Sequence, residues 1–156
     1  MEDDPAYRIE VSRRADAPWE ASEQRIRQAI EHVLRRHQRR EATVSVALVN
    51  DPHIAELNEC YLGHQGPTDV LSFDLSEEGA ARLEGQIVIS LDTAAREAGR
   101  RGHAAEAEVL LYCVHGMLHL LGYGDAEPEQ AARMHRREDE LLSELGVGVV
   151  YGTADE

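Results

Sequence analysis

Apolar residues recur along this chain in two rhythms, every second residue in some stretches and every three to four in others, which separates strands from helices. Tyr7 to Arg13 alternates polar with apolar positions and predicts an edge strand, followed by a turn through Asp16, Ala17 and Pro18. Ile26, Ile30, Val33 and Leu34 line one side of a helix predicted from Glu23 to His37, with Ser22 able to cap it. Ala42 to Val49 is rich in β-branched residues, with Val44, Val46 and Leu48 on one face, and reads as a second strand. Asp51 and Pro52 suit the cap and first turn of a short helix carrying Ile54, Leu57 and Tyr61, which ends in the loop from Gly63 to Pro67. Val70 to Leu75 and Gln86 to Leu91 predict two further strands, separated by the acidic, glycine-containing segment from Ser76 to Gly85. Asp92 or Thr93 caps a helix to about Arg101, and Gly102 stops it.

The segment from Glu106 to Leu121 is apolar on nearly all sides, which marks a helix buried in the middle of the domain. Pro128 opens a last helix, with Ala131, Met134, Leu141, Leu142 and Leu145 on one face. The pattern predicts an α+β fold, a single mixed sheet of about four strands covered by helices around that buried central helix. Residues 1–146 are expected to form one domain and residues 147–156 a loosely held C-terminal tail, with no internal repeat and no linker.

Chemistry is concentrated in His115-Gly-Met-Leu-His119-Leu-Leu-Gly122-Tyr-Gly-Asp125. Histidines spaced i and i+4 project from one face of a helix. Gly122 allows the chain to turn back, so that Asp125 can approach both rings. Nitrogen and oxygen donors numbering three, with a fourth position open, describe a catalytic zinc site rather than a closed structural one. On an otherwise apolar helix, Tyr112, His115 and His119 form a polar line, and two unpaired imidazoles there would cost about 1–3 kcal/mol each. The spacing of the two histidines and the glycine follows the zincin pattern H-E-x-x-H-x-x-G. Gly116 stands where a metalloprotease carries its catalytic glutamate, so the peptide-cleaving base is missing.

The chain has 156 residues and a net charge of −14, and all 16 basic residues are arginines. That balance opposes indiscriminate nucleic-acid binding, although screening over about 8 Å makes the distribution of charge matter more than its total. Arginines cluster at 35, 36, 39 and 40, at 96, 100 and 101, and at 133, 136 and 137; solvated helix faces are the plainer reading of each cluster. Cys60 and Cys113 are isolated thiols that suit a reducing compartment, and no apolar run approaches the roughly 18 residues of a membrane span. With an acidic, polar start unlike a secretory signal, the expectation is a soluble cytoplasmic protein without a membrane partner.

A second group of residues, Pro67-Thr-Asp-Val-Leu-Ser-Phe73, leads into a strand that could form a cleft wall, with Thr68, Asp69 and Ser72 offered to a bound chain. By residue type alone, Thr68 and Asp69 are equally ordinary turn formers and Phe73 an ordinary core residue.

Taken with Leu57-Asn58, Tyr61, Gly85-Gln-Ile-Val-Ile-Ser90, Met134 and Glu138, these two segments resemble the YbeY family of bacterial endoribonucleases, also called ribosomal RNA maturation factors. The resemblance implies an α+β fold, one zinc ion per chain on three ligands at the end of the central helix, and cleavage of single-stranded RNA. It further implies work in ribosomal RNA processing and ribosome quality control in the cytoplasm, with the small subunit or its proteins as partners. His115 and His119 carry over directly, whereas Asp125 occupies by spacing the place of the family's histidine. Where the family has an arginine after Tyr61 and a lysine two residues later, this chain has Leu62 and His64; Gln86 stands for an aspartate.

Two classes of function therefore remain open, with a metalloprotease third. One is metal-assisted cleavage of RNA, with no catalytic side chain beyond the metal's own ligands and with Arg100 and Arg101 supplying the phosphate contact. The other is a ribosome-associated binding or assembly factor that retains zinc and has weak or lost nuclease activity.

Overall fold

In a computed structural model, residues 5–15, 21–63 and 69–147 are described. The elements run β1 (Ala6–Arg13), α1 (Glu23–Arg36), β2 (Glu41–Val49), α2 (Asp51–Leu62), β3 (Val70–Asp74), β4 (Leu83–Ser90), α3 (Leu91–Arg101), α4 (Ala105–Leu120) and α5 (Pro128–Glu144). All nine expected elements form, in an α+β arrangement with one mixed sheet of four strands in the order β1-β2-β4-β3. β1, β2 and β4 run parallel, and β3 closes the far edge antiparallel to β4. The proposed tail lies almost entirely outside the described residues.

Side-chain alternation divides the sheet's burial between two faces. Val44, Val46 and Leu48 of β2 join Ile87 and Ile89 of β4 in the main core, against α1 and α4. Ala47, Val49, Leu71 and Val88 face the other way, where α2 covers them through Ile54 and Leu57. That second face is only partly roofed: Tyr61 and Leu75 are 69% and 59% exposed, and the Phe73 ring meets Tyr61 edge-on, 5.9 Å between centroids. Phe73 is thus partly buried on the α2 side, in a smaller core than the one that holds α4.

α4 packs against α1, α3, α5, β3 and β4, which accounts for a helix apolar all round. Val109, Leu110, Leu111, Val114, Met117 and Leu118 are buried, at about 1.5–3 kcal/mol of transfer free energy per large side chain. Close approach to the sheet depends on Gly116. A Cβ there would lie 3.0 Å from Ser72 Oγ and 3.2 Å from Ile87 Cγ2.

Two caps differ from expectation by one to three residues. Asn50, rather than Asp51, caps α2 by accepting the His53 N–H at 3.0 Å. Ser90, rather than Asp92 or Thr93, caps α3. β4 starts at Leu83, because Leu83 pairs with Ala42 and the Ser76 hydroxyl clamps Glu84 across the intervening turn.

Candidate metal centre

His115 and His119 occupy consecutive turns of α4 near its C-terminal end, their rings nearly perpendicular and 4.6 Å apart. Beyond them the chain reverses at Gly122, whose φ of +102° is a conformation that side chains with a Cβ rarely adopt. The reversal lets the Tyr123 N–H donate to the Leu118 carbonyl at 2.9 Å, and it brings the Tyr123 carbonyl to 3.0 Å from His119 Nδ1. Asp125 follows, with Oδ2 at 3.3 Å from His119 Nε2 and 3.9 Å from His115 Nε2.

A carbonyl can only accept, so His119 Nδ1 carries a proton and the neutral ring presents a lone pair at Nε2. His115 is fixed in the same sense, because its Nδ1 faces the carboxylate of Glu138, a side chain with no exposed surface. Both Nε2 atoms consequently point at one place, 3.1 Å from each other, with the Asp125 carboxylate beside them. Three electron-pair donors within 4.8 Å of one another repel unless a cation lies between them. A tetrahedral zinc with bonds of about 2.0–2.1 Å separates two nitrogen ligands by about 3.3 Å, so the observed spacing fits a shared ion. Asp125 is 48% exposed, and it marks the side from which a fourth ligand can enter.

The surroundings favour positive charge. Burial alone would lower the His115 pKa, but the hydrogen bond and charge of Glu138, aided by Asp69 and Asp125, raise it above the ordinary histidine value. Orienting partners of this kind are the usual complement of metal-binding imidazoles. Neither Glu138 nor the Tyr123 carbonyl figured as a site residue in the sequence reading. A signal for Glu138 existed: it interrupts the buried stripe Met134, Leu141, Leu142 of α5, where a carboxylate needs a partner.

Of the remaining expected site residues, Asp69 and Ser72 lie near the histidines, whereas Arg100 and Arg101 do not. Thr68 lies outside the described residues. Asp69 is near enough to act on His115 by charge, and its Oδ1 accepts the Val70 N–H at 2.7 Å. Ser72 faces α4, its hydroxyl donating to the Gly116 carbonyl at 3.3 Å. Arg101 binds Glu108 at 3.2 Å and approaches Glu97 at 3.7 Å, while exposed Arg100 approaches Glu97 at 3.6 Å. Glu108 and His115 are seven residues apart on α4, about 10 Å along the axis, so the structure does not bring this arginine pair to the histidines. Gly116 has no room for the metalloprotease glutamate, because its face of the helix is pressed onto Ser72 and Ile87.

Comparison with known proteins identifies the family. The family model described as endoribonuclease YbeY matches residues 9–146. A protein of Anaeromyxobacter sp. (strain Fw109-5) named endoribonuclease YbeY is 48% identical over 110 residues, covering 70% of this chain and 57% of that relative. One of the same name from Moorella thermoacetica is 44% identical over 117 residues, covering 69% of this chain and 75% of the relative. Among solved structures, the solution structure of a Thermotoga maritima protein superposes with a TM-score of 0.57 at 26% identity, over 88% of this chain and 90% of that one. A family match running from β1 to the end of α5, joined by relatives at 48% and 44% identity, makes this chain a member of the endoribonuclease YbeY family.

Proposed function

We propose that this protein is a zinc-dependent endoribonuclease, specific for single strands, that acts in the cytoplasm on ribosomal RNA processing and ribosome maturation or quality control. The observation that carries the reading is the convergence of two imidazole lone pairs and a carboxylate on one point, with both rings fixed from behind. The name shared by the relatives supplies the substrate class. One zinc ion held by His115, His119 and Asp125 would supply Lewis acidity toward a phosphoryl oxygen and ease deprotonation of an attacking hydroxyl or water. Glu138 and the Tyr123 carbonyl keep each ring's proton on Nδ1, so that Nε2 stays available. Asp125 adds a negative charge that a histidine would lack, which makes the ion less electrophilic and the chemistry slower.

Metal content and cleavage of single-stranded ribosomal RNA, measured on one preparation with and without chelator, test the proposal. Cleavage should follow zinc, and His119→Ala should lose both together. Cleavage that survives in a metal-free His119→Ala protein would overturn it. The second reading, a small-subunit assembly factor with retained zinc and lost nuclease activity, is favoured by Leu62 where the family pattern has arginine. Zinc-loaded protein that binds ribosomal particles without cutting RNA, and gains cleavage on Leu62→Arg, would establish that reading instead.

A further inference from the structure

Beside the metal centre, α5 presents arginines to which no contact described so far gives a role. Arg133, Arg136 and Arg137 fall within little more than one helical turn, so their side chains leave the helix toward neighbouring parts of its surface. Arg137 is committed: its Nε donates to the Tyr123 hydroxyl at 3.2 Å and its Nη1 to Glu140 at 2.8 Å. Arg133 and Arg136 are exposed, and neither has an acidic partner among the described residues, although Glu129 and Glu140 lie one turn away on either side.

Their position relative to the ligands is set by Tyr123. Its ring is held between the Arg137 side chain and His37 of α1, which meets it edge-on at 5.7 Å with Nε2 at 3.1 Å from the hydroxyl. Its carbonyl holds His119. Tyr123, Arg133, Arg136 and Arg137 line a hollow of 160 Å³ together with Glu140, whose carboxylate is engaged by Arg137 and Arg36. Arg133 also joins Gly122, Tyr123, Gly124 and Gln130 around a second hollow of 270 Å³, at the loop that delivers Asp125. A Cβ on Gly124 would stand 3.2 Å from Gln130 Oε1, so the ligand loop is seated directly on the first turns of α5.

Two unpaired guanidinium groups beside two concave surfaces, next to a centre read as cleaving phosphodiesters, match the charge and planar fork that bind phosphate. We propose that Arg133 and Arg136 hold backbone phosphates of the RNA strand flanking the scissile one, the role that the sequence pattern had assigned to Arg100 and Arg101. The inference rests on the endoribonuclease reading. Because a phosphate contact away from the reacting group strengthens ground state and transition state alike, its loss raises KM and leaves kcat in place.

The test is salt-dependent binding of the zinc-loaded full chain to a 2′-O-methylated single-stranded RNA oligonucleotide, which reports binding whether or not the enzyme cuts. R133Q/R136Q should lower the slope of log K against log salt by about 1.4, two single-strand contacts at about 0.7 each, with zinc content unchanged. R133K/R136K should restore the slope, and R100Q should leave it alone. On cleavable RNA, R133Q/R136Q should raise KM at constant kcat. An unaltered slope in R133Q/R136Q overturns the proposal while leaving zinc-dependent cleavage standing, and so does a loss of ribosomal-particle binding without any change on naked RNA, which would assign the patch to a protein surface. Absence of cleavage in wild type, with the slope still lowered in R133Q/R136Q, would overturn the nuclease reading and keep the phosphate site.

Discussion

The carboxylate of Glu138 lies behind His115, bonded to Nδ1 from a fully buried position on α5, so the last helix sets the orientation of an imidazole carried by the central one. A neutral imidazole has one lone pair, and this contact directs it toward His119 and Asp125. Glu138→Ala should weaken zinc binding by about 10–100-fold, as loss of an orienting partner usually does. Glu138→Gln, which keeps an acceptor, should lose less. Competition titration with a chromophoric chelator gives both numbers, and an affinity unchanged in Glu138→Ala would remove Glu138 from the site.

The convergence of His115, His119 and Asp125 was legible in the sequence because all of it is local: a helical spacing, a glycine that allows a reversal, and an aspartate three residues further on. Glu138 was visible as a member of the family pattern and as a break in the apolar stripe of α5, but not as the partner of His115, because that contact spans 23 residues and depends on how α5 crosses α4. The arginines at 100 and 101 are likewise placed by contacts that sequence clustering does not show. Sequence clustering put them forward, but distance along α4 and the pull of buried Glu108 keep Arg101 at the far end of the helix. Caps shifted for a similar reason: Asp51 has a tertiary role that no local pattern announces.

Asp125 is the one candidate ligand that differs from the family register, and exchanging it separates geometry from charge. Asp125→Ala should cost zinc affinity by at least about tenfold through loss of a donor. Asp125→His keeps three donors and removes a negative charge, so it should retain zinc and raise cleavage above that of the native chain. Parallel measurement of metal content and rate on the two variants checks this. Equal zinc retention by both would show that Asp125 is not a ligand.

Gly116→Glu would write the metalloprotease motif into the chain without making a protease. The new side chain must start at a Cβ 3.0 Å from Ser72 Oγ and 3.2 Å from Ile87 Cγ2, on the face where α4 lies on the sheet. Overpacking and a carboxylate pushed into an apolar layer should destabilise the fold by about 2 kcal/mol or more. Urea unfolding measures the loss, and a peptide-hydrolysis assay should stay silent.

Asp51 ties α2 to α3, accepting from Ser90 Oγ at 2.5 Å, Thr93 Oγ1 at 2.8 Å and Arg96 Nη1 at 2.7 Å. Burial alone would raise its pKa, but these three hydrogen bonds and the Arg96 charge outweigh it and hold the carboxyl below its ordinary value. A depressed folded-state pKa stabilises the fold above the unfolded pKa of about 3.9, and that contribution disappears as pH falls through the lower folded value. Asp51→Asn should therefore be less stable than the native chain at pH 6–7, with the gap closing below about pH 4. Urea midpoints at the two ends of that range decide it, and a gap that widens in acid would contradict the assignment.

The two cysteines offer a probe of folding that leaves the metal centre untouched. Cys60 is exposed on α2, whereas Cys113 sits fully buried in α4, where burial pushes its thiol up to about 12. Only the thiolate reacts, and burial keeps Cys113 in the unreactive thiol form even if reagent reached it. Alkylation of the native protein should modify one thiol quickly and stop. The second should follow only as fast as the domain opens, because Cys113 lies in the core shared by α1, α4 and the sheet. Its labelling rate should rise with urea in step with global unfolding, whereas fast labelling of both thiols in the absence of denaturant would mean that α4 is not held as described.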